Sequence, residues 1–389
     1  MRYDFETLTP ARDRCEPVWD MLRRGGITDP DGICYGVAET RFPLAPEIKE
    51  ALHECVEDGY FGYICGNCND LVCDFFARRH GWQTKPAWIN QTYGVVSAIG
   101  MSIRAFTQPG EGVIIQTPVY NPFAENILLN GRRVVENPLL RGETRYEMDF
   151  ADLERKAADP NNTLMVLCSP HNPVGRVWSR AELERVSEIC RRNGVLVVSD
   201  EIHCDLTYGA KHIIFGSLDP ETEQHCVVCT APSKTFNIPG LVTSNIFVPN
   251  DELRARFQAE LEKSVGHYAN IPGLAAERAA LTKCDGWLDE LQQKLGENVA
   301  LFSRLVREKL PRAWMPVMEG TYLAWLDLND LGLDDEALKK LVMEQAQLYV
   351  NMGNIYGSGG SGFVRVNLGC PSRYLEKFVD QLAAAIEKL

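Results

Sequence analysis

The stretch TLMVLCSPHNPVGRVWSRAELERVSEICRRNGVLVVSD, residues 163–200, decides the fold. It opens and closes on short apolar, β-branched runs, TLMVLCSP (163–170) and GVLVVSD (194–200), each bounded by turn residues. Between them Leu183, Val186, Ile189 and Cys190 recur at the 3.6-residue period of a helix with one buried face. Near-continuous apolar strands separated by such a helix make a βαβ unit, with parallel strands covered on both faces. Similar runs recur outward, at GVIIQTP (112–118) upstream and at CVVCTAP (226–232) and TSNIFVP (243–249) downstream. The centre of the chain is therefore predicted to be α/β, with a parallel sheet.

From about residue 251 the texture changes to long, charged, amphipathic helices, DELRARFQAELEKS and then WLDELQQKLGENVALFSRLVREKL. The strand-like YLAWLDL (322–328) follows, then a helix through about 349, the strand FVRVNLG (363–369) and a closing helix. Strands mixed with helices at this end predict a smaller α+β domain, joined by the first 40-odd residues. The expected division is 1–45 as an N-terminal segment packing with the small domain, 46–280 as the large domain and 281–389 as the small one. No Pro-, Gly- or Ser-rich linker separates the parts and no repeat is visible, so they should pack tightly.

Composition narrows the function. The 389 residues carry 40 Lys+Arg against 53 Asp+Glu, a net charge of −13, with 45% hydrophobic and 24% charged residues. That balance excludes a disordered or fibrous chain, and it argues against nucleic-acid and anionic-membrane partners. The start is charged, and no apolar run approaches the ~18 residues of a membrane span. A cytoplasmic protein is expected, so the thirteen cysteines should be reduced thiols. The pairs Cys65/Cys68 and Cys226/Cys229 have CxxC spacing but lie far apart with no His at ligand spacing. They read as buried or incidental thiols, and no metal is expected.

Ligands of an open parallel sheet bind beyond the carboxyl ends of its strands. Here those ends are followed by Thr117-Pro-Val-Tyr120, Ser169-Pro-His-Asn172, Asp200-Glu-Ile-His203 and Pro232-Ser233-Lys234. An aromatic ring, an amide, a carboxylate and an amine thus converge on one edge. A Lys directly after a buried strand is unusual. Paired with an acid ending a neighbouring strand, it has a specific meaning: a lysine that forms a Schiff base and an acid that keeps a pyridine nitrogen protonated are the protein's share of pyridoxal phosphate chemistry.

The blocks TPVYNPF (117–123), SPHNPVGRVW (169–178), SDEIH (199–203), APSKTFNIPG (231–240), EGTYLAW (319–325) and GFVRVNLGCP (362–371) resemble, in matching order, those of fold-type-I pyridoxal phosphate enzymes. More narrowly, they are similar to the cystathionine β-lyase and cystalysin-like C–S lyases within the aminotransferase superfamily. The resemblance implies a large domain with a mostly parallel seven-stranded sheet and a smaller α+β domain. It makes Lys234 the Schiff-base lysine and proton-transfer base, Asp200 the partner of the pyridine nitrogen, Asn172 the amide on the phenolic oxygen and Tyr120 the ring stacked on the cofactor. His203 joins this cofactor-binding set. The phosphate would be held by Gly94, Val95 and Val96 at a helix start together with Ser233. Tyr63 would reach the phosphate of a neighbouring subunit, which implies a homodimer with shared active sites. Arg365, inside an apolar strand where an unpaired charge is costly, resembles the arginine that grips the substrate carboxylate.

Gly357, Gly359 and Gly362 satisfy GxGxxG, but a strand follows, so they read as a lid or turn ahead of Arg365. His203, where aminotransferases of the superfamily usually have Tyr, and Val242, where many carry a phosphate-binding Arg, favour lyase over aminotransferase. The segment Ala38-Glu39-Thr40-Arg41-Phe42 departs from the lyase pattern by a basic residue at an acidic position. It opens the possibility of a second substrate anion at Arg41, while His267 reads equally well as a satisfied surface histidine. The expected activity is a pyridoxal phosphate-dependent β-lyase acting on cystathionine or another L-cysteine S-conjugate, with an amino acid aminotransferase as the alternative.

Overall fold

The computed structural model describes residues 1–9, 17–29, 31–64, 66–264 and 270–389. Seven strands form one sheet: β1 (Ile89–Thr92), β2 (Gly112–Ile115), β3 (Arg133–Glu136), β4 (Asn162–Cys168), β5 (Leu196–Asp200), β6 (Cys226–Thr230) and β7 (Ser244–Phe247). Their spatial order is β1-β7-β6-β5-β4-β2-β3. The βαβ unit read from residues 163–200 is its centre. Strands β4 and β5 pair in parallel, Leu164 with Leu196 through Cys168 with Asp200. The helix between them, Arg180–Arg192, buries Leu183, Val186, Ile189 and Cys190, and a capping box of Ser179 and Glu182 starts it.

The pairs β2–β3, β2–β4, β4–β5 and β5–β6 are parallel, whereas β7 runs antiparallel to both β6 and β1. TSNIFVP thus forms a strand but departs from the parallel arrangement. Between β6 and β7 stand only the one-turn helix Pro232–Thr235 and the 3-10 turn Pro239–Leu241. No full helix carries the chain back to the far end of the sheet, so it returns in the opposite direction. Strands β1 and β3 escape the apolar-run criterion. The first is the mostly polar INQT, and the second, RVVE, is a partly exposed edge.

The C-terminal region holds a second sheet, β8 (Leu323–Asp327), β9 (Asn351–Met352) and β10 (Phe363–Asn367), in the antiparallel order β8-β10-β9. The helix expected to run to about 349 starts at Asp335 and ends in a π-helical turn at Gln345, short of that boundary. Val364 and Val366 of β10 pack into a core of their own with Phe302, Leu305, Leu375 and Phe378. Ile33 and Tyr35 join this core, while Phe5, Phe42 and Ala45 join the core of the large sheet. The helix Asp285–Lys309 ties the two cores together. Trp287, Leu288, Leu291 and Leu295 from its first half enter one core, and Phe302, Leu305 and Val306 from its second half enter the other.

The eleven described cysteines are all free thiols. Cys226 and Cys229 lie fully buried within β6. Cys68 is buried against helix Ile271–Lys283, its Sγ 3.7 Å from the Leu274 carbonyl, and its CxxC partner Cys65 falls outside the described residues. Among the described residues no helix is long and apolar enough to cross a membrane.

Candidate active site

At the carboxyl edge of the large sheet the backbone diverges into loops around a cavity of about 240 Å³. Nine of the eleven residues singled out from sequence line it: Gly94, Val95, Val96, Tyr120, Asn172, Asp200, His203, Ser233 and Lys234. Strand pairing accounts for the convergence. Asp200 is the last residue of β5 and sits opposite Cys168, the last of β4. Asn172 follows four residues beyond Cys168, and Lys234 stands four residues beyond the end of β6 on its one-turn helix.

Lys234 and Asp200 are the electrostatic heart of the cavity. Loss of water pushes the Asp200 carboxyl up to about 7, against the pull of the Ile202 N–H that donates to its Oδ1 at 3.1 Å, and Glu201 adds to the rise. Lys234 lowers the value only weakly, so the charged form of this carboxylate would need a further cation in contact with it. The Lys234 amine is in turn brought down to about 8 by burial first and by the nearby Arg365 second. Its Nζ donates to the Ala38 carbonyl at 2.6 Å. The site thus presents an acid lacking a strong cationic partner and an amine readily freed of its proton. His203 is pushed down to about 3 by burial, then by Lys234 and Arg365, so its ring is neutral.

The anion end is built by a helix start. Gly94 caps the helix Val95–Phe106 at φ 107°, a region that favours glycine, and space beside it stays open where a side chain would otherwise stand. The first amides of a helix have no acceptor within it. Of the three expected here, the Gly94 N–H is spent on Ser244 Oγ at 3.1 Å. Ser244 in turn is 2.7 Å from Thr92 Oγ1, a pair that anchors the Thr92–Gly94 bend. Val95 and Val96 remain at the cavity wall with Ser233.

Arg365 does not line the cavity but is hydrogen-bonded to Asn172, which does. It is buried, with Nη1 donating to Asn172 Oδ1 at 3.3 Å and Nη2 to the Gly36 carbonyl at 2.5 Å, and among the described residues its Nε has no partner. Its guanidinium also faces the Tyr356 ring at 5.5 Å. On the same face of β10, Asn367 Nδ2 donates to the carbonyls of Val37 and Glu39, both at 2.6 Å. The strap Gly36–Glu39 is therefore clamped between the small sheet and Lys234. The glycine loop before Arg365 packs onto the large sheet: at Gly357, φ 88°, a Cβ would stand 2.7 Å from Thr117.

Tyr63 is not in the cavity; its side chain stands at the surface, 80% exposed, beside exposed Tyr60 and Phe61. Arg41 does not line the cavity either. It is buried, paired with Glu39 at 2.9 Å, and borders a separate cavity of about 210 Å³ with Ile33, Cys34 and Tyr374. Its side chain thus faces a cavity other than the one lined by Lys234 and Asp200. His267 and the rest of 265–269 lie outside the described residues. Sequence reading missed Ala38, Tyr93, Cys168, Ile202, Pro239 and Thr243 as cavity walls. They flank the motifs but carry no chemistry that would single them out.

This architecture is the fold-type-I fold of pyridoxal phosphate enzymes. The chain belongs to the aminotransferase class I and II family, whose pattern it matches over residues 42–382. It is 41% identical to the cystathionine β-lyase PatB of Bacillus subtilis (strain 168) over 364 residues, covering 93% of this chain and 94% of that protein. It is 33% identical to the protein MalY of Escherichia coli (strain K12), covering 99% of each. Among solved structures it superposes on cystalysin from Treponema denticola, a structure containing a pyridoxal 5'-phosphate cofactor, with a TM-score of 0.97 and 34% identity over the full length of both chains.

Proposed function

We propose that the protein is a pyridoxal phosphate-dependent C–S β-lyase that cleaves cystathionine or another L-cysteine S-conjugate to a thiol, pyruvate and ammonia. The observation that carries this reading is the meeting of Lys234 and Asp200 in one cavity whose wall includes a helix start suited to an anion, with Arg365 hydrogen-bonded to the lining Asn172. The residues fit the cofactor. Asp200 lacks the cation that would keep it charged, the amides of Val95 and Val96 suit a phosphate, and Arg365 retains an unpartnered buried Nε. When bound, the cofactor supplies an electron sink for the substrate's α-carbon.

The chain's own groups divide the remaining work. Asp200 would hold the cofactor's ring nitrogen and supply the negative charge that favours its protonated form. Lys234 would hold the cofactor and serve as the base for the substrate's α-proton; an amine near 8 is neutral often enough to do so at ordinary pH. Arg365 offers a planar fork to the substrate carboxylate. Tyr120 and Asn172 would hold the cofactor's ring and its phenolic oxygen, with His203 a neutral wall. Similarity to PatB and cystalysin supports elimination over transamination, and so do His203 and Val242.

The same reading makes the protein a cytoplasmic homodimer with an amino acid substrate and no nucleic-acid or membrane partner. Exposed Tyr60, Phe61 and Tyr63 would form part of the shared interface, and Tyr63 would serve the partner's phosphate site. It also divides the chain into segment 1–45, a cofactor domain 46–280 and a small domain 281–389. The deciding experiment is incubation of the purified, cofactor-loaded protein with cystathionine. Pyruvate and free thiol in equal amounts are expected. Keto acid that forms only with an added amino acceptor, with no thiol, would transfer the protein to the aminotransferases.

A further inference from the structure

The helix that carries Lys234 is a single turn, Pro232–Thr235, closed by the Phe236 N–H donating to the Pro232 carbonyl at 2.8 Å. One turn has little stability of its own, so its orientation is set from outside. Thr235, buried and absent from the cavity wall, donates through Oγ1 to Asp205 Oδ2 at 2.7 Å. The other carboxylate oxygen, Oδ1, lies 2.9 Å from Nε2 of His80, the last residue of helix Asn69–His80. Gln292 of the bridging helix hydrogen-bonds the Asp205 backbone carbonyl. Asp205 is thus fixed from three directions.

It also belongs to the turn that follows β5. Residues 200–206 fold back through the Cys204 N–H to Glu201 O, 3.0 Å, and the Leu206 N–H to His203 O, 2.9 Å. Asp200 and His203 of this turn line the cavity, while Asp205 does not. We propose that Asp205, held by His80, is a positioning residue: through Thr235 it locks the lysine-bearing turn to the turn that bears Asp200, fixing the amine relative to the acid. This inference rests on the reading of Lys234 and Asp200 as the cofactor-holding pair. Ligand-type atoms of His80, Cys204 and Asp205 gather within 4.8 Å. Both Asp205 oxygens are already hydrogen-bonded, so a charge-assisted brace accounts for the group without an ion. The neighbouring His212 is occupied separately, by Glu201 at 2.6 Å.

Thr235→Val removes the hydroxyl at nearly constant volume, and Thr235→Ser keeps it. Two readouts are compared with thermal unfolding: the rate at which apo-protein is covalently captured at Lys234 by pyridoxal phosphate with cyanoborohydride, located by peptide mass, and kcat and KM for cystathionine. Thr235→Val is expected to slow both capture and kcat by roughly 10- to 100-fold, as a misplaced reacting group does, with KM little changed. Thr235→Ser should restore both. Should Thr235→Val not fold, Asp205→Asn carries the same test through the same readouts. Wild-type rates in the hydroxyl-free variant, or equal losses in the Ser and Val variants, would overturn the brace while leaving the lyase reading intact. Absence of capture at Lys234 in the wild-type protein would overturn the cofactor reading and the brace with it.

Discussion

The two sheets deliver their charges to the cavity in opposite ways. The large sheet presents Asp200 and Lys234 from beyond its strand ends, where the backbone diverges and side chains are freed from strand alternation. The small sheet presents Arg365 from mid-strand, where alternation is the whole mechanism: Val364 and Val366 face its own core, and Arg365 and Asn367 face the strap Gly36–Glu39. Strand ends suit groups that must adjust to a cofactor and move a proton. A mid-strand position suits a rigid fork.

If that division holds, replacing groups at the strand ends should affect chemistry and replacing the fork should affect recognition. The largest effect is expected from Lys234→Ala, which should abolish the visible absorption of the loaded protein and lower kcat by about four orders of magnitude or more. A spectrum unchanged by this substitution would break the comparison at once. Asp200→Asn should lower kcat by roughly 10²-fold or more, and it should reveal the strain of the buried acid in apo-protein. Because the folded-state value is raised from 3.8 to about 7, the native state binds more protons than the unfolded state in that window. Wild-type apo-protein should therefore lose more stability than the Asn variant as pH rises through it, since buried Glu277, also raised to about 7, contributes the same loss to both. Denaturant titrations at the two ends of the window measure this.

A subtler test at the strand ends is the pH dependence of cofactor capture by Lys234. The neutral amine is the nucleophile, so the rate should climb with pH through about 8 and level off above, well below the range of an ordinary lysine. For the mid-strand fork, Arg365→Lys keeps the charge but loses the planar geometry. It should raise KM for cystathionine by roughly 10- to 100-fold, the worth of weakened charge-assisted hydrogen bonds, with a smaller change in kcat. The smallest effect belongs to the scaffold. Ser179→Ala removes the cap of the helix between β4 and β5 and should cost about 1 kcal/mol in denaturant unfolding while leaving kcat and KM alone.

Most of the fold was legible because β2, β4, β5, β6 and β7 are buried almost throughout and lie in runs rich in apolar residues, which announce themselves without alternation. INQT and RVVE were not legible as β1 and β3, since a polar strand and an exposed edge carry little burial signal. The cavity residues were legible where a turn motif follows a buried strand, as at Asn172, Asp200 and Lys234. They were illegible where a wall is made by contact alone, as at Cys168 and Thr243. Arg41 shows the converse: a departure in sequence suggested an entrance residue, but its side chain turns to Glu39 and another cavity.

The sequence by itself determined the α/β core, the order of the motifs and the residue types proposed to hold a cofactor, because strand burial and motif chemistry are local properties of the chain. Only the tertiary structure decided which of these groups meet and in what charge state. It set β7 antiparallel, drew the strap Gly36–Glu39 between Arg365 and Lys234, and gave Asp205 a place behind the lysine. Such facts depend on contacts between segments hundreds of residues apart and on the loss of water that comes with them, and neither is written in any one stretch of the chain.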